Sequence, residues 1–189
     1  MHSLSLRSVS SAICLIVTLT MNLSFADAVD LRLAAGLASQ GSEWRGDVTG
    51  VGQLKLGVRF MKYVGICAEV RVGYGAVDQR MLTGLTLGVQ GWLPMGGVFP
   101  YARLAFIHQH EESFSVVAGD VGKALFGIGD GIRHRAGGLA AVGVDIPLVR
   151  NNRLQWFASV EAVASYFPGD MGPQGYWGGG VGIGFSYSI

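Results

Sequence analysis

Cysteine is nearly absent from this chain, with two among 189 residues, Cys14 and Cys67. Cys14 lies in an N-terminal leader, so the mature chain keeps one thiol and no intrachain disulfide can form. Charge is sparse as well, at 14% Asp, Glu, Lys and Arg. Loss of the leader removes Arg7 and leaves the mature chain formally neutral, which argues against a nucleic-acid partner. Beyond the leader no apolar run approaches the roughly 20 residues that a membrane helix needs, although half the chain is hydrophobic. The apolar content is spread by alternation instead.

The leader reads as a secretory signal peptide over residues 1–26. Arg7 precedes an apolar core, AICLIVTLTM, and Ser24 and Ala26 occupy the −3 and −1 positions of a cleavage site. Ile13 stands where a small residue must precede a lipidated cysteine, so Cys14 does not mark a lipoprotein. Residues 27–189 form one domain.

The C-terminal stretch, YWGGGVGIGFSYSI, carries the clearest pattern. Trp177, Gly179, Val181, Ile183, Phe185, Tyr187 and Ile189 share one parity, and Gly178, Gly180, Gly182, Gly184, Ser186 and Ser188 share the other. A strand sends alternate side chains to opposite faces, so one face is bulky and apolar and the other almost bare. Seven more segments pass the same period-two test: residues 29–40, 51–60, 64–75, 82–93, 99–108, 132–146 and 154–167. On none of them does a charge share the apolar face. A soluble sheet with one face in water also alternates, but its polar face carries Lys and Glu rather than glycine. The connections alternate too: 61–63, 94–98 and 147–153 are short, whereas 41–49, 76–81, 109–131 and 168–175 are generally longer.

These features predict an all-β chain: an eight-stranded antiparallel up-and-down transmembrane β-barrel, preceded by a cleaved signal peptide. Hydrocarbon cannot satisfy an open sheet edge, so the strands must close into a ring. Phe60, Trp156 and Tyr187 fall at one membrane boundary, and Tyr74, Tyr166 and Trp177 at the other. The pattern over residues 29–189 resembles the eight-stranded outer-membrane barrel superfamily that includes OmpA- and OmpX-like proteins. The last strand is similar to the C-terminal assembly signal of such barrels, departing from it by ending in Ile189. The resemblance implies a bacterial outer-membrane location with both termini periplasmic, a monomer, contact with outer-membrane lipids and lipopolysaccharide, and dependence on the barrel-assembly machinery.

Eight strands enclose a lumen that side chains fill. Asp30, Arg32, Lys55, Arg59, Glu69, Arg71, Arg103, Asp145 and Glu161 fall on the inward parity, which predicts an internal ion-pair network and not a diffusion pore. Candidate chemistry gathers outside. His108, His110 and His134 bracket the longest connection, and His-x-His on a strand places two imidazoles on one face, roughly 7 Å apart at the backbone. Zinc or copper could bind there with His134 as a third ligand. The competing reading is a polar rim whose Arg133 and Arg135 meet lipid phosphates. Ser113 and Ser115 near His110 and Glu112 allow a lipid-modifying enzyme on paper. The function expected from the pattern is structural or surface interaction through the external loops, 109–131 above all, because FSVVAGDVGKALFGIGDGI is unusually apolar for a loop. Its glycines do not sit between a strand and a helix, which excludes a nucleotide-phosphate loop.

Overall fold

The computed structural model describes residues 29–189 apart from 76, 78, 121, 124, 125, 170 and 171, so the signal peptide expected at 1–26 lies outside the described residues. Eight strands follow one another: β1 (Asp30–Ser42), β2 (Val48–Phe60), β3 (Val64–Gly75), β4 (Arg80–Trp92), β5 (Phe99–Ser113), β6 (Arg133–Asn151), β7 (Leu154–Tyr166) and β8 (Gly175–Ser188). A short helix, α1 (Phe114–Gly119), follows β5. Each strand pairs antiparallel with its sequence neighbour, and β8 pairs back onto β1, closing the barrel.

The ring has a definite stagger. Asp30 pairs with Arg59, and the path continues through Gly65, Gln90, Arg103, Ala141, Val163 and Gly178 to return to β1 at Gln40, ten residues further on. Eight strands with that shear tilt about 41° from the barrel axis at ordinary strand spacings. Trp156 and Tyr166 on β7, like Tyr187 and Trp177 on β8, are ten residues apart. At that tilt the separation is roughly 25 Å, the height of an outer-membrane apolar band.

Alternation sorts the two faces as the sequence predicts. Leu54, Leu56, Leu85, Leu87, Leu104, Phe106, Val142, Val160, Val181 and Ile183 are exposed on the outer wall, while Arg59, Glu69, Arg71, Arg103, Asp145 and Glu161 are buried inside. Glycine on the inward face of β8 is a steric requirement. A Cβ at Gly184 would lie 2.5 Å from the Leu33 carbonyl oxygen and 2.7 Å from the Phe157 ring. Gly138 on the outer wall has nothing within 4 Å of that position.

Strand ends differ most from the pattern-based expectation in three places. The segment 109–131 is not all loop: β5 runs on to Ser113, because Glu111 pairs with both Leu82 and Arg133 although it is polar. The segment 147–153 is mostly strand, since β6 passes Pro147 by a register shift between Pro147 and Arg150 and leaves only Asn152 and Arg153 in the turn. A bulge tolerates proline because its missing N–H needs no ladder partner. The first connection, expected over 41–49, shrinks to the residues between Ser42 and Val48.

Candidate functional site

The lumen is stratified by the inward residues of each strand. Near the chain ends of the ring, Arg32 Nη2 donates to Asp145 Oδ2 at 2.5 Å, the Trp92 indole N–H donates to the same oxygen at 2.9 Å, and Arg59 Nε donates to Asp30 at 2.8 Å. Arg32 also lies over the Phe157 ring, 4.2 Å from its centroid. One layer further, Glu161 accepts from Lys55 Nζ at 2.8 Å, from Arg103 Nη2 at 3.1 Å and from the Tyr101 hydroxyl at 2.9 Å. Arg103 also pairs with Glu69, whose other oxygen lies 3.2 Å from Arg71 Nε. The eight residues Arg32, Lys55, Arg59, Glu69, Arg71, Arg103, Asp145 and Glu161 thus sit in two connected layers across the ring.

Above them lies an apolar layer that parity alone does not single out. Leu82, Ile107, Leu139, Ala141, Val163, Phe167 and Tyr176 form one buried cluster. All seven fall on the inward parity of their strands, or of its continuation past the strand end, but nothing local to each strand shows that they meet in one layer. Beyond it, Arg135 Nη1 donates to Glu111 at 2.8 Å and lies over Phe167, and the Tyr176 hydroxyl donates to the same carboxylate at 3.3 Å. Arg135 is therefore turned inward and buried, and Arg133 Nη1 also reaches Glu111, at 3.3 Å. Arg135 is thus withdrawn from the rim into the lumen, whereas Arg133, on the same parity, pairs with Glu111 and keeps an exposed side chain.

The mouth is covered by the connection between β7 and β8. Phe167 and Pro173 are fully buried, and Gly172, with φ at 143°, lies against Glu111, Arg133 and Arg135. A Cβ at Gly172 would stand 3.2 Å from Glu111 Oε2. Glu43 pins this segment from the β1–β2 turn by accepting the backbone N–H of Gln174 at 2.6 Å and of Gly175 at 2.9 Å. Nothing in composition announces this lid.

The histidines stand on the opposite face of the wall. His108 and His110 share the outward parity of β5 with Leu104 and Phe106, and His110 pairs across the ladder with His134 of β6. Their ring centroids are 4.7–5.6 Å apart, and their ligating nitrogens all lie within 4.8 Å of one another. His134 Nδ1 is 3.4 Å from His108 Nε2, and the buried Thr83 hydroxyl is 3.4 Å from His110 Nδ1. Glu112 follows on the same face, buried, with Oε2 lacking a hydrogen-bond partner. The loop returns over this patch. Gly127, with φ at 68°, sits so close that a Cβ would fall 2.6 Å from His110 Nε2. The loop segment at Gly127 therefore lies against the outer wall, while Phe126 and Ile128 beside it are exposed. Earlier in the loop, the Lys123 backbone N–H donates to Asp120 at 3.0 Å, with the Lys123 ammonium 3.5 Å away, and holds that carboxyl below the ordinary carboxylate range. The Ser113 and Ser115 hydroxyls hydrogen-bond each other at 2.9 Å, and the hydroxyl beside His110 is that of Thr83.

An apolar belt outside, a charged and plugged interior and a closed ring define a membrane-spanning barrel of the eight-stranded outer-membrane type. Solved structures share this fold. Neisserial surface protein A is similar at 12% identity over 85% of this chain and 97% of its own, with a TM-score of 0.57. The β domain of the Bordetella autotransporter BrkA is similar at 10% identity over 86% of this chain and 100% of its own, with a TM-score of 0.50. The N-terminal barrel domain of Pseudomonas aeruginosa OprF gives 16% identity over 84% and 97%, with a TM-score of 0.49. No family model and no curated protein sequence matches the chain.

Proposed function

We propose that the protein is a non-conducting integral barrel of the bacterial outer membrane that acts through its external face, as a structural or surface-interaction protein. The observation that carries this reading is the filled lumen: two ion-paired layers, an apolar layer and the lid at Gly172 stand in series along the axis. The beginning of β1 and the end of β8 point to the periplasm, at the end of the ring that carries the tight turns at 61–63 and 152–153. The external end carries the segment 114–132, whose exposed Phe126 and Ile128 extend apolar surface beside the barrel wall. Outer-leaflet lipid and lipopolysaccharide are its immediate partners there. The ring satisfies every strand edge by itself, so a monomer suffices and no partner strand is required. Insertion relies on the barrel-assembly machinery.

Two measurements test this. The folded barrel in planar lipid bilayers should give no stepwise conductance, and steady conducting steps would overturn the plugged lumen. On whole cells, trypsin should cut at exposed Lys123 without prior permeabilisation. Cleavage seen only after the outer membrane is opened would reverse the orientation.

A further inference from the structure

The geometry points to a divalent transition-metal site made by His108, His110 and His134 on the outer wall of the barrel, at the root of its longest loop. Zinc and copper(II) are the ions whose preference for imidazole suits it.

Three observations support it. The first is spacing. Two nitrogens bound to one tetrahedral zinc at 2.0–2.1 Å are about 3.4 Å apart, and His134 Nδ1 and His108 Nε2 are already 3.4 Å apart. One donor nitrogen from each of the three rings lies within 4.8 Å of the others, so the third ligand is close to the same centre. The second is support around the ligands. The Thr83 hydroxyl lies 3.4 Å from His110 Nδ1 and orients that ring. Gly127 closes over the same ring, and only a glycine fits there.

The third is charge. Glu112, on the same outward face, is buried and its Oε2 has no hydrogen-bond partner. A carboxylate shielded from water without a hydrogen-bond partner is costly. A cation held by three neutral imidazoles beside it would remove that cost. The exposed His134 leaves an open approach to the site, and a fourth coordination position is left for water or an external ligand. Bound metal would tie β5 to β6 where their pairing ends and fix the start of the loop.

The test uses the untagged mature protein folded in detergent, since a polyhistidine tag would mask the signal. Zinc and copper(II) are titrated at pH 7.5 by calorimetry, with folding of every variant checked by heat-dependent gel mobility. One ion per chain is expected, and His110→Ala should weaken binding by about 100-fold or more. His134→Ala, whose exposed ring contributes least to packing, gives the same reading should His110→Ala fail to fold. Glu112→Gln should weaken binding by about 10-fold, as loss of a supporting group does. Copper(II) bound to the wild type should show coupling to several imidazole nitrogens by electron paramagnetic resonance, and the triple histidine-to-alanine variant should not. Binding by the wild type no tighter than by the triple variant would overturn the site, as would binding that survives His134→Ala undiminished.

Discussion

Neutralising Glu161 should cost far more than removing the lysine that pairs with it. The central lumen layer holds three cations, Lys55, Arg71 and Arg103, against two carboxylates, Glu69 and Glu161. Glu161→Gln leaves three cations to Glu69 alone and strips Lys55 of its 2.8 Å partner, since the next carboxylate oxygen is 4.0 Å away. Removing one partner of a buried ion pair typically costs about 3–5 kcal/mol, because the other charge stays buried and uncompensated. Lys55→Met acts oppositely. It leaves two arginines facing two carboxylates, and Glu161 keeps Arg103 and Tyr101. Its cost should be about 1 kcal/mol or less, since no carboxylate is left without a cationic partner in the layer. The double variant should therefore be more stable than Glu161→Gln alone. Urea unfolding of the barrel in lipid vesicles, followed by tryptophan fluorescence and by gel mobility, measures all three. Equal costs for the two single changes, or a Glu161→Gln cost below about 1 kcal/mol, would mean that lumen water screens these charges and that the pairing argument is wrong.

Val142→Arg places a charge on the exposed outer wall and should cost roughly 2–4 kcal/mol where Val142→Thr costs little, read by the same urea unfolding. Gly184→Ala should destabilise by about 1–3 kcal/mol through overpacking against Leu33 and Phe157, while Gly138→Ala should be nearly neutral. Cysteines placed at 142 and 162 should react with a lipid-soluble reagent and not with a water-soluble one. Zinc affinity should fall on acidification, because protons compete for the same imidazole lone pairs, and calorimetry from pH 7.5 downward would show it.

The strands were legible because lipid outside and charge inside impose a period of two on every span, and Leu104, Arg103 and Phe106 declare their faces without reference to other strands. Strand ends were less so. The ladder continues through His110, Glu111 and Glu112 because neighbours on β4 and β6 are present to pair with them, which hydropathy does not report. Parity likewise separates inward from outward residues but cannot say which meet across the ring. That depends on the shear, which brings Lys55 to Glu161 and gathers Ile107, Leu139 and Val163 into one layer. The histidine pair at 108 and 110 is local and readable. Its partner His134, and the contact from Gly127, depend on the hairpin register and the loop path. The lid at Gly172 left no compositional trace at all.

The lumen charges have a consequence for how the ring finds its correct closure. A slip of one residue turns every side chain to the wrong face and is punished at once by lipid. A slip of two residues restores the alternation, so hydrophobicity is blind to it. The cross-ring pairs are not. Arg32 to Asp145 spans 113 positions of sequence and Lys55 to Glu161 spans 106, so each samples the register of strands far apart in the chain. A ring closed two residues out of step would keep its apolar belt yet strand these charges and drive bulk into the bare face of β8. The interior thus works as a proofreading surface, rejecting those mispaired rings that the membrane itself would accept.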